Sequence, residues 1–343
     1  GETPENAGHG FNMTALAMRL SAHVNGVSRE HGRVSRQMWQ HLWPGLAQDL
    51  VPIRSLTNGI HAPTWISPES NSLYAKYLSP DWAERVDDPT IWQRVTDLPD
   101  DALWAVRQTT RRKLMRFIRE RARDGWIRGH LQPMQAIARG TLLDPEALTI
   151  GFARRFATYK RATLLFRDLD RLKQLLHNRW RPVQIVFAGK AHPADEPGRY
   201  FIHEVLSFCN DHKLGGHVAF LEDYDMHMAK YLVQGVDIWL NTPRAPLEAS
   251  GTSGQKAALN GVINLSVLDG WWKEGYNGAN GWGIEPLLGN QDIQAQDEHD
   301  AQQLYRMLEQ EAIPLYYQRD LDGIPRGWVQ LMKENLRTNA PRF

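Results

Sequence analysis

The chain holds one cysteine, Cys209, in 343 residues, which excludes an intramolecular disulfide and suits a reducing compartment. No apolar run approaches the ~18–20 residues of a membrane span. The opening Gly1-Glu-Thr-Pro-Glu-Asn lacks the basic and apolar regions of a signal peptide. A cytoplasmic protein is the expectation. An excess of one charge is also missing: 40 Lys+Arg stand against 39 Asp+Glu, so no global field points to nucleic acid or to an anionic membrane. Neither is expected as a partner, and binding must be argued locally. No Gly-x-Gly-x-x-Gly follows the first predicted strand of the sheet, and the glycine-rich 275–283 has no lysine at phosphate-loop spacing. No nucleophile elbow occurs either. The dehydrogenase and nucleotide-hydrolase readings fall away. His203, Cys209 and His212 lie on one predicted helix but share no compact face, so no metal site is expected. There is no internal repeat and no low-complexity tract.

What is present begins with enough apolar residues, 42% against 23% charged, for a substantial core. The length fits about two domains or one large one. Thirteen tryptophans and ten tyrosines are more aromatic surface than a core requires; such rings stack on sugars, although packing is their commoner use. From residue 148 short apolar runs alternate with helical patterns. Leu148-Thr-Ile-Gly-Phe-Ala153, Val183-Gln-Ile-Val-Phe-Ala188, His217-Val-Ala-Phe-Leu221, Val236-Asp-Ile-Trp-Leu240 and Val262-Ile-Asn-Leu265 read as strands, with helices over 160–178, 196–213 and 226–234 between them. Strict alternation predicts an α/β fold: a Rossmann-like parallel sheet with helices on both faces.

Upstream, residues 11–42 have helical spacing interrupted near Gly26, and 43–57 read as a connector, with a domain boundary at 57. Asp100 is placed to cap a long helix from Ala102 to about Arg123. Its many arginines, among them Arg107 and Arg111, read as a solvated face opposite Leu103, Val106, Leu114, Phe117 and Ile118 rather than as a polyanion patch. After residue 270 the chain predicts a loop rich in Gly, Trp and Asn, then helices near 298–311 and 325–337.

The chemistry gathers where strands end. Glu248-Ala-Ser-Gly-Thr-Ser-Gly-Gln-Lys256 lies between two predicted strands. Its small residues let backbone N–H groups approach an anion, and a lysine closes the loop before an apolar run. Lys256 reads as an ammonium pairing with phosphate, as an amine reacting with an aldehyde cofactor, or as an exposed lysine at a helix start. Arg154-Arg155-Phe-Ala-Thr-Tyr159-Lys160-Arg161 directly follows the first strand, where cations and amides converge on an anion. Gly189-Lys190-Ala-His192 and Glu222-Asp223-Tyr224 end the next two strands. Four strand ends are therefore expected to face one crevice. Asn58 and Trp65 are placed to reach a ligand across it, unless Asn58 is only a turn residue beside Gly59.

These motifs, in order, are similar to the C-terminal portion of the α-glucan phosphorylases, the glycogen, starch and maltodextrin enzymes. The match includes Ala22-His-Val-Asn-Gly-Val27, Thr57-Asn-Gly-Ile60, Arg155 with Tyr159-Lys160-Arg161, Gly189-Lys190-Ala191, Phe220-Leu-Glu222 with Tyr224, Glu248-Ala-Ser-Gly-Thr252 with Lys256, Leu259-Asn-Gly261 and Leu268-Asp-Gly270. The resemblance implies the C-terminal half of a two-domain GT-B glycosyltransferase that phosphorolyses α-1,4-glucan ends to glucose 1-phosphate. It implies pyridoxal 5′-phosphate bound through Lys256, with the cofactor's phosphate exchanging a proton with inorganic phosphate. By the same analogy Arg155 and Lys160 match ligands of the substrate phosphate, and Arg154 stands where a lysine contacts the cofactor phosphate. Thr252 and Ser253 give backbone N–H groups to that phosphate, and Tyr224 and Trp65 line the cofactor. Glu248, Ser250, Gly251, Tyr159 and Asn58 match the sugar site. Arg155, Lys160, Lys256 and Glu248 are the expected catalytic set.

Ser253 stands where relatives often have glycine, and Arg244-Ala-Pro-Leu247 differs from the animal enzymes, which suggests the shorter bacterial type. Family members are far longer, so the expectation is a fragment: 1–57 the helical tail of an N-terminal catalytic domain plus connector, 58–343 the cofactor-binding domain, inactive alone. A homodimer is open to the full-length form. Two other readings compete: a sugar-nucleotide-dependent glucan synthase of the same architecture, which needs no pyridoxal phosphate, and a non-catalytic glucan-binding module.

Overall fold

The computed structural model describes residues 11–128, 132–211, 214–289 and 292–343. The opening hexapeptide and His212 lie outside them. A small parallel pair, β1 (Val24–Gly26) and β2 (Ile53–Ser55), flanks the helix Arg29–Trp39 and stands apart from the main sheet. The helical spacing over 11–42, expected to break near Gly26, forms two helices, Met13–Leu20 and Arg29–Trp39, with the strand β1 at the break. Ser28 accepts the His31 N–H and caps the second of them, so the sequence breaks here for a local reason. The connector 43–57 likewise contains a strand.

The main sheet has six parallel strands: β3 (Leu148–Ala153), β4 (Val183–Ala188), β5 (Val218–Leu221), β6 (Ile238–Asn241), β7 (Ile263–Val267) and β8 (Gly281–Ile284), in spatial order β5-β4-β3-β6-β7-β8. Leu148 pairs with Val183 and Ile238 with Ile263. Every residue of β3 to β7 is buried, as expected of strands covered on both faces. Successive side chains serve opposite cores. Ile150, Phe152, Ile185 and Phe187 enter one, while Ala153, Val186, Ala188 and Trp239 enter the other. Each such Ile, Val or Phe contributes ~1.5–3 kcal/mol on burial. The five predicted strands are present within two residues of their expected ends. β8 is the miss: its Gly-Trp-Gly-Ile has little β-branched content, and its edge position needs only one ladder partner.

The helices 196–213 and 226–234 are found as Glu196–Asn210 and Met226–Gly235. Only Leu169–Leu176 of the 160–178 expectation is an α-helix; 158–166 is two 3-10 turns and loop. The C-terminal helices are Ile293–Met307, a π-helical turn Leu308–Ala312, Ile313–Tyr317 and Arg326–Asn339. No helix among the described residues is long and apolar enough to cross a membrane.

The long helix runs Asp100–Ile127, and two expectations about it fail. Pro99, not Asp100, precedes its first turn, and Asp100 instead binds Lys333 at 2.7 Å and Arg326 at 3.1 Å. Arg107 and Arg111 are not solvated: they are 1% and 0% exposed. Spaced four apart, they fall on the core-facing stripe with Leu114 and Ile118. Arg111 Nη1 lies 3.0 Å from Asp237 Oδ1 and Arg107 Nη2 lies 3.7 Å from it. Arg107 also donates to the carbonyls of Gln234 and Val236.

Candidate active site

In the order β5-β4-β3-β6-β7-β8 the chain direction of winding reverses between β3 and β6, and in open α/β sheets ligands bind beyond the strand ends at such a point. Only Ile150 with Ile238 and Gly151 with Trp239 pair across it. Past them the ladder stops, and side chains bridge the gap: Arg154 Nη1 donates to Asn241 Oδ1. Arg154 can stand so close to β4 because residue 189 is glycine; a Cβ there would sit 2.1 Å from the Arg154 carbonyl oxygen.

Arg154 also donates through Nη2 to Glu248 Oε2, and Lys160 Nζ lies 3.9 Å from that same oxygen. Burial and the Arg154 charge push the Lys160 ammonium down to about 8, against the pull of Glu248. Tyr159 lies beneath Lys160, its ring centroid 5.2 Å from Nζ; burial and the Glu248 charge raise its phenol. Burial pushes the Tyr224 phenol up to about 12, while Arg154 acts in the opposite sense. Arg155 is exposed and reaches Tyr159 and Lys160 only through its field.

The loop carrying Glu248 is fixed from behind. Asp269 accepts the backbone N–H of Glu248 at 2.8 Å through Oδ2 and that of Gly270 at 2.8 Å through Oδ1. Its carboxyl is buried and pushed up to about 6. Ser250 O accepts from Trp271 N at 2.8 Å, while Ser250 Oγ is buried without a partner, as is Arg154 Nε. Upstream, Arg161 adopts φ 46°, a left-handed conformation costing ~1–2 kcal/mol for a residue with a Cβ. Its guanidinium offsets that by donating to the carbonyls of Thr242 and Pro243 and to Asp297 and Asp300. Asn241 and Asp269 are the residues that sequence reasoning did not assign; Leu268-Asp-Gly270 was visible as a motif, but the partner of its carboxylate was not. Arg161, expected within the anion-binding cluster, is instead taken up by Asp297 and Asp300.

Gly251, at φ +88°, starts the helix Thr252–Leu259. Lys256 therefore sits in the second turn of a helix rather than closing a loop. Thr252 and Ser253 form its first turn, where N–H groups lack intrahelical acceptors. Ser253 Oγ accepts from Trp239 Nε1 at 3.2 Å. Lys256 Nζ stands 4.0 Å over the Trp65 ring and has no ion-pair partner among the described residues. Burial lowers its ammonium below the usual lysine range. Asn58 is exposed on the neighbouring segment, where its carbonyl accepts from Gln255 Nε2 at 2.7 Å.

The convergence is narrower than expected. Arg154, Tyr159, Lys160 and Glu248 come together, with Tyr224 close by and Ser250 two residues along the Glu248 loop; Lys256 and Trp65 pair with each other. The polar ends of β4 and β5 contribute less. Lys190 and His192 are exposed. Glu222 turns to Arg139 at 2.6 Å and Asp223 to Arg121 at 3.5 Å, both away from the cluster. No group of three or more His, Cys, Asp or Glu able to hold a metal occurs among the described residues.

The family model for carbohydrate phosphorylases matches residues 3–274 of this chain. The chain is 45% identical to a glycogen phosphorylase of Aquifex aeolicus, over 100% of this chain and 49% of that protein. It is 44% identical to a maltodextrin phosphorylase of Thermococcus litoralis, over 98% of this chain and 39% of that one. A glycogen phosphorylase of Mycobacterium tuberculosis is 44% identical over 97% of this chain and 38% of its own length. The chain spans about half or less of the length of these curated relatives.

Proposed function

The chain belongs to the carbohydrate phosphorylase family, and from that premise we propose that it supplies the phosphate-holding half of a site that phosphorolyses α-1,4-glucan ends to glucose 1-phosphate. The observation that carries this is the buried cluster of Arg154, Lys160 and Glu248 at the switch point between β3 and β6. Arg155 and Lys160 neutralise inorganic phosphate, which without cations would be repelled by any second phosphate nearby. Glu248, Ser250, Gly251, Tyr159 and Asn58 orient the hydroxyls of the terminal glucose. A phosphate oxygen forms the bond to C1, the glycosidic C1–O bond breaks, and the proton carried by phosphate goes to the departing oxygen.

The residues present also fit pyridoxal 5′-phosphate. Arg154 Nε and Ser250 Oγ are buried donors without partners, the first-turn amides of Thr252 and Ser253 suit a phosphate, and Lys256 combines a lowered ammonium with an aromatic face at Trp65. Tyr224, within the field of Arg154, is the residue we assign to the cofactor's lining with Trp65. When bound, this cofactor supplies a second phosphate as proton donor and acceptor. Lys256 is its covalent anchor, and Arg154 with the Thr252 and Ser253 amides holds its phosphate. We assign residues 58–343 to this cofactor-binding domain and 1–57 to a connecting segment; the helix Met13–Leu20 within it has no buried residue. A cytoplasmic location accords with the single, buried Cys209. Incubation with pyridoxal phosphate, borohydride reduction and peptide mapping tests the assignment. Label is expected on Lys256, and label elsewhere or nowhere overturns it.

A further inference from the structure

Resting on the reading of Lys256 as the cofactor's anchor, one buried carboxamide explains how the wall beside that lysine is held. Lys256 Nζ stands 4.0 Å over the ring of Trp65, and both side chains are half-buried. Trp65 ends a helix of only four residues, Ala62–Trp65. A helix that short does not hold itself in water, so the position of the ring is imposed from outside.

Asn260 imposes it. This residue follows the last residue of the helix Thr252–Leu259 and is 2% exposed. Through Nδ2 it donates to the Trp65 carbonyl at 3.0 Å and to the Lys256 carbonyl at 2.9 Å, and its Oδ1 accepts the Ser67 N–H at 2.9 Å. Both amide protons and the oxygen are thus engaged. Capping the helix needs only the bond to the Lys256 carbonyl; the other two cross to the backbone at and beyond Trp65. Gln234 Nε2 is a second donor to the Trp65 carbonyl, at 3.1 Å. Asn260 is itself anchored, since Arg107 Nη1 reaches its carbonyl at 3.4 Å and the Tyr74 hydroxyl donates to the adjoining Leu259 carbonyl at 2.9 Å.

We propose that Asn260 is a positioning residue for the cofactor site: by tying the backbone of Trp65 and Ser67 to that of Lys256, it keeps the indole face across the lysine amine. The ring then covers the amine against small reagents before the cofactor arrives, and lines the bound cofactor from a fixed position afterwards. Without the tie, Lys256 reacts more readily with small molecules and retains pyridoxal phosphate for a shorter time.

The test uses acetic anhydride on the cofactor-free chain at a series of pH values, with peptide mapping and the exposed Lys190 as internal standard. The pH-independent rate of the free amine reports access to Lys256. In Asn260→Ala it should rise about tenfold, the scale of one lost hydrogen bond, and in Gln234→Met about threefold. A residue that only stabilised the fold would lower the melting temperature and leave this rate unchanged in the folded chain. After loading with pyridoxal phosphate, imine absorbance should decay about tenfold faster on dilution in Asn260→Ala than in wild type. In a Trp65→Leu background Asn260→Ala should change neither rate further. A wild-type acetylation rate at Lys256 in folded Asn260→Ala overturns the proposal, and so does an undiminished effect in the Trp65→Leu background. Should Asn260→Ala fail to fold, Gln234→Met decides, and a wild-type rate there overturns it. If acetylation responds as expected but wild type forms no imine at Lys256, the positioning of Trp65 stands and the cofactor reading falls.

Discussion

Replacing Asp237 by alanine should be among the most destabilising single changes in the chain. Asp237, Arg107 and Arg111 are 1%, 1% and 0% exposed, so the two guanidinium groups share one buried carboxylate and have no water to replace it. Asp237 Oδ1 lies 3.0 Å from Arg111 and 3.7 Å from Arg107, and Oδ2 accepts the Thr149 N–H at 2.9 Å. Removing one partner of a buried ion pair costs about 3–5 kcal/mol because the other is left uncompensated. The orphaned Thr149 amide adds about 1–3 kcal/mol. Against a typical stability of 5–15 kcal/mol, a loss of about 4–8 kcal/mol would leave the domain marginal. The remaining bonds of Arg107 to the Gln234 and Val236 carbonyls satisfy its donors but not its charge, which is why the low end of the range is still large. Urea unfolding followed by circular dichroism measures the difference. Asp237→Asn, which keeps an acceptor for Thr149 but drops the charge, should fall between wild type and Asp237→Ala. A loss below about 1 kcal/mol for Asp237→Ala would refute the reasoning and return the two arginines to solvent.

Three further predictions concern the site. The Lys160 ammonium, pushed down to about 8, loses its charge as pH rises through that value, so phosphate affinity should fall above pH 8 in wild type, and Lys160→Met should lack this step. Because the folded value lies below the unfolded one, the chain binds fewer protons when folded between about pH 8 and 10.4, and the Lys160 contribution to stability should improve with pH across that window, as pH-dependent melting would show. Gly189→Ala would bring a Cβ to 2.1 Å from the Arg154 carbonyl oxygen. Since backbone must move to relieve it, a cost of about 1–3 kcal/mol is expected, together with weaker binding of pyridoxal phosphate as Arg154 shifts, measured by melting and by calorimetry.

Most of the fold was legible because the strands of a doubly covered sheet are unbroken apolar runs, and five such runs lie between residues 148 and 267. β8 escaped because an edge strand of Gly-Trp-Gly-Ile carries no such run, and β1 and β2 because three-residue strands leave no periodicity to read. The arginines of the long helix show a different limit. Helical spacing predicted correctly that Leu103, Leu114 and Ile118 face inward, and the same spacing places Arg107 and Arg111 among them. A charge on an apolar stripe reads as a boundary of that stripe unless its partner is known. The partner, Asp237, lies 126 residues away from Arg111, immediately before a strand whose own pattern is apolar.

At the site the distinction is between residue types and their pairing. Glycine, small residues and cations after strand ends were visible in order, and that order placed Arg154, Lys160, Glu248 and Ser250 on one rim. Which strand ends contribute was decided by competition. Glu222 pairs with Arg139 and Asp223 with Arg121, not with the cations of the cluster. Asp269 and Asn241 join it unannounced, one by accepting two backbone amides of the Glu248 loop and the other by bridging to Arg154 where the β3–β6 ladder ends. The opening between those two strands is the reason such bridges exist. A pair of parallel strands that continued their ladder past Gly151 and Trp239 would have satisfied its own polar groups and left no place for a buried arginine. Because the winding reverses there, the gap is filled by side chains with donors to spare, and spare buried donors are what an anion needs.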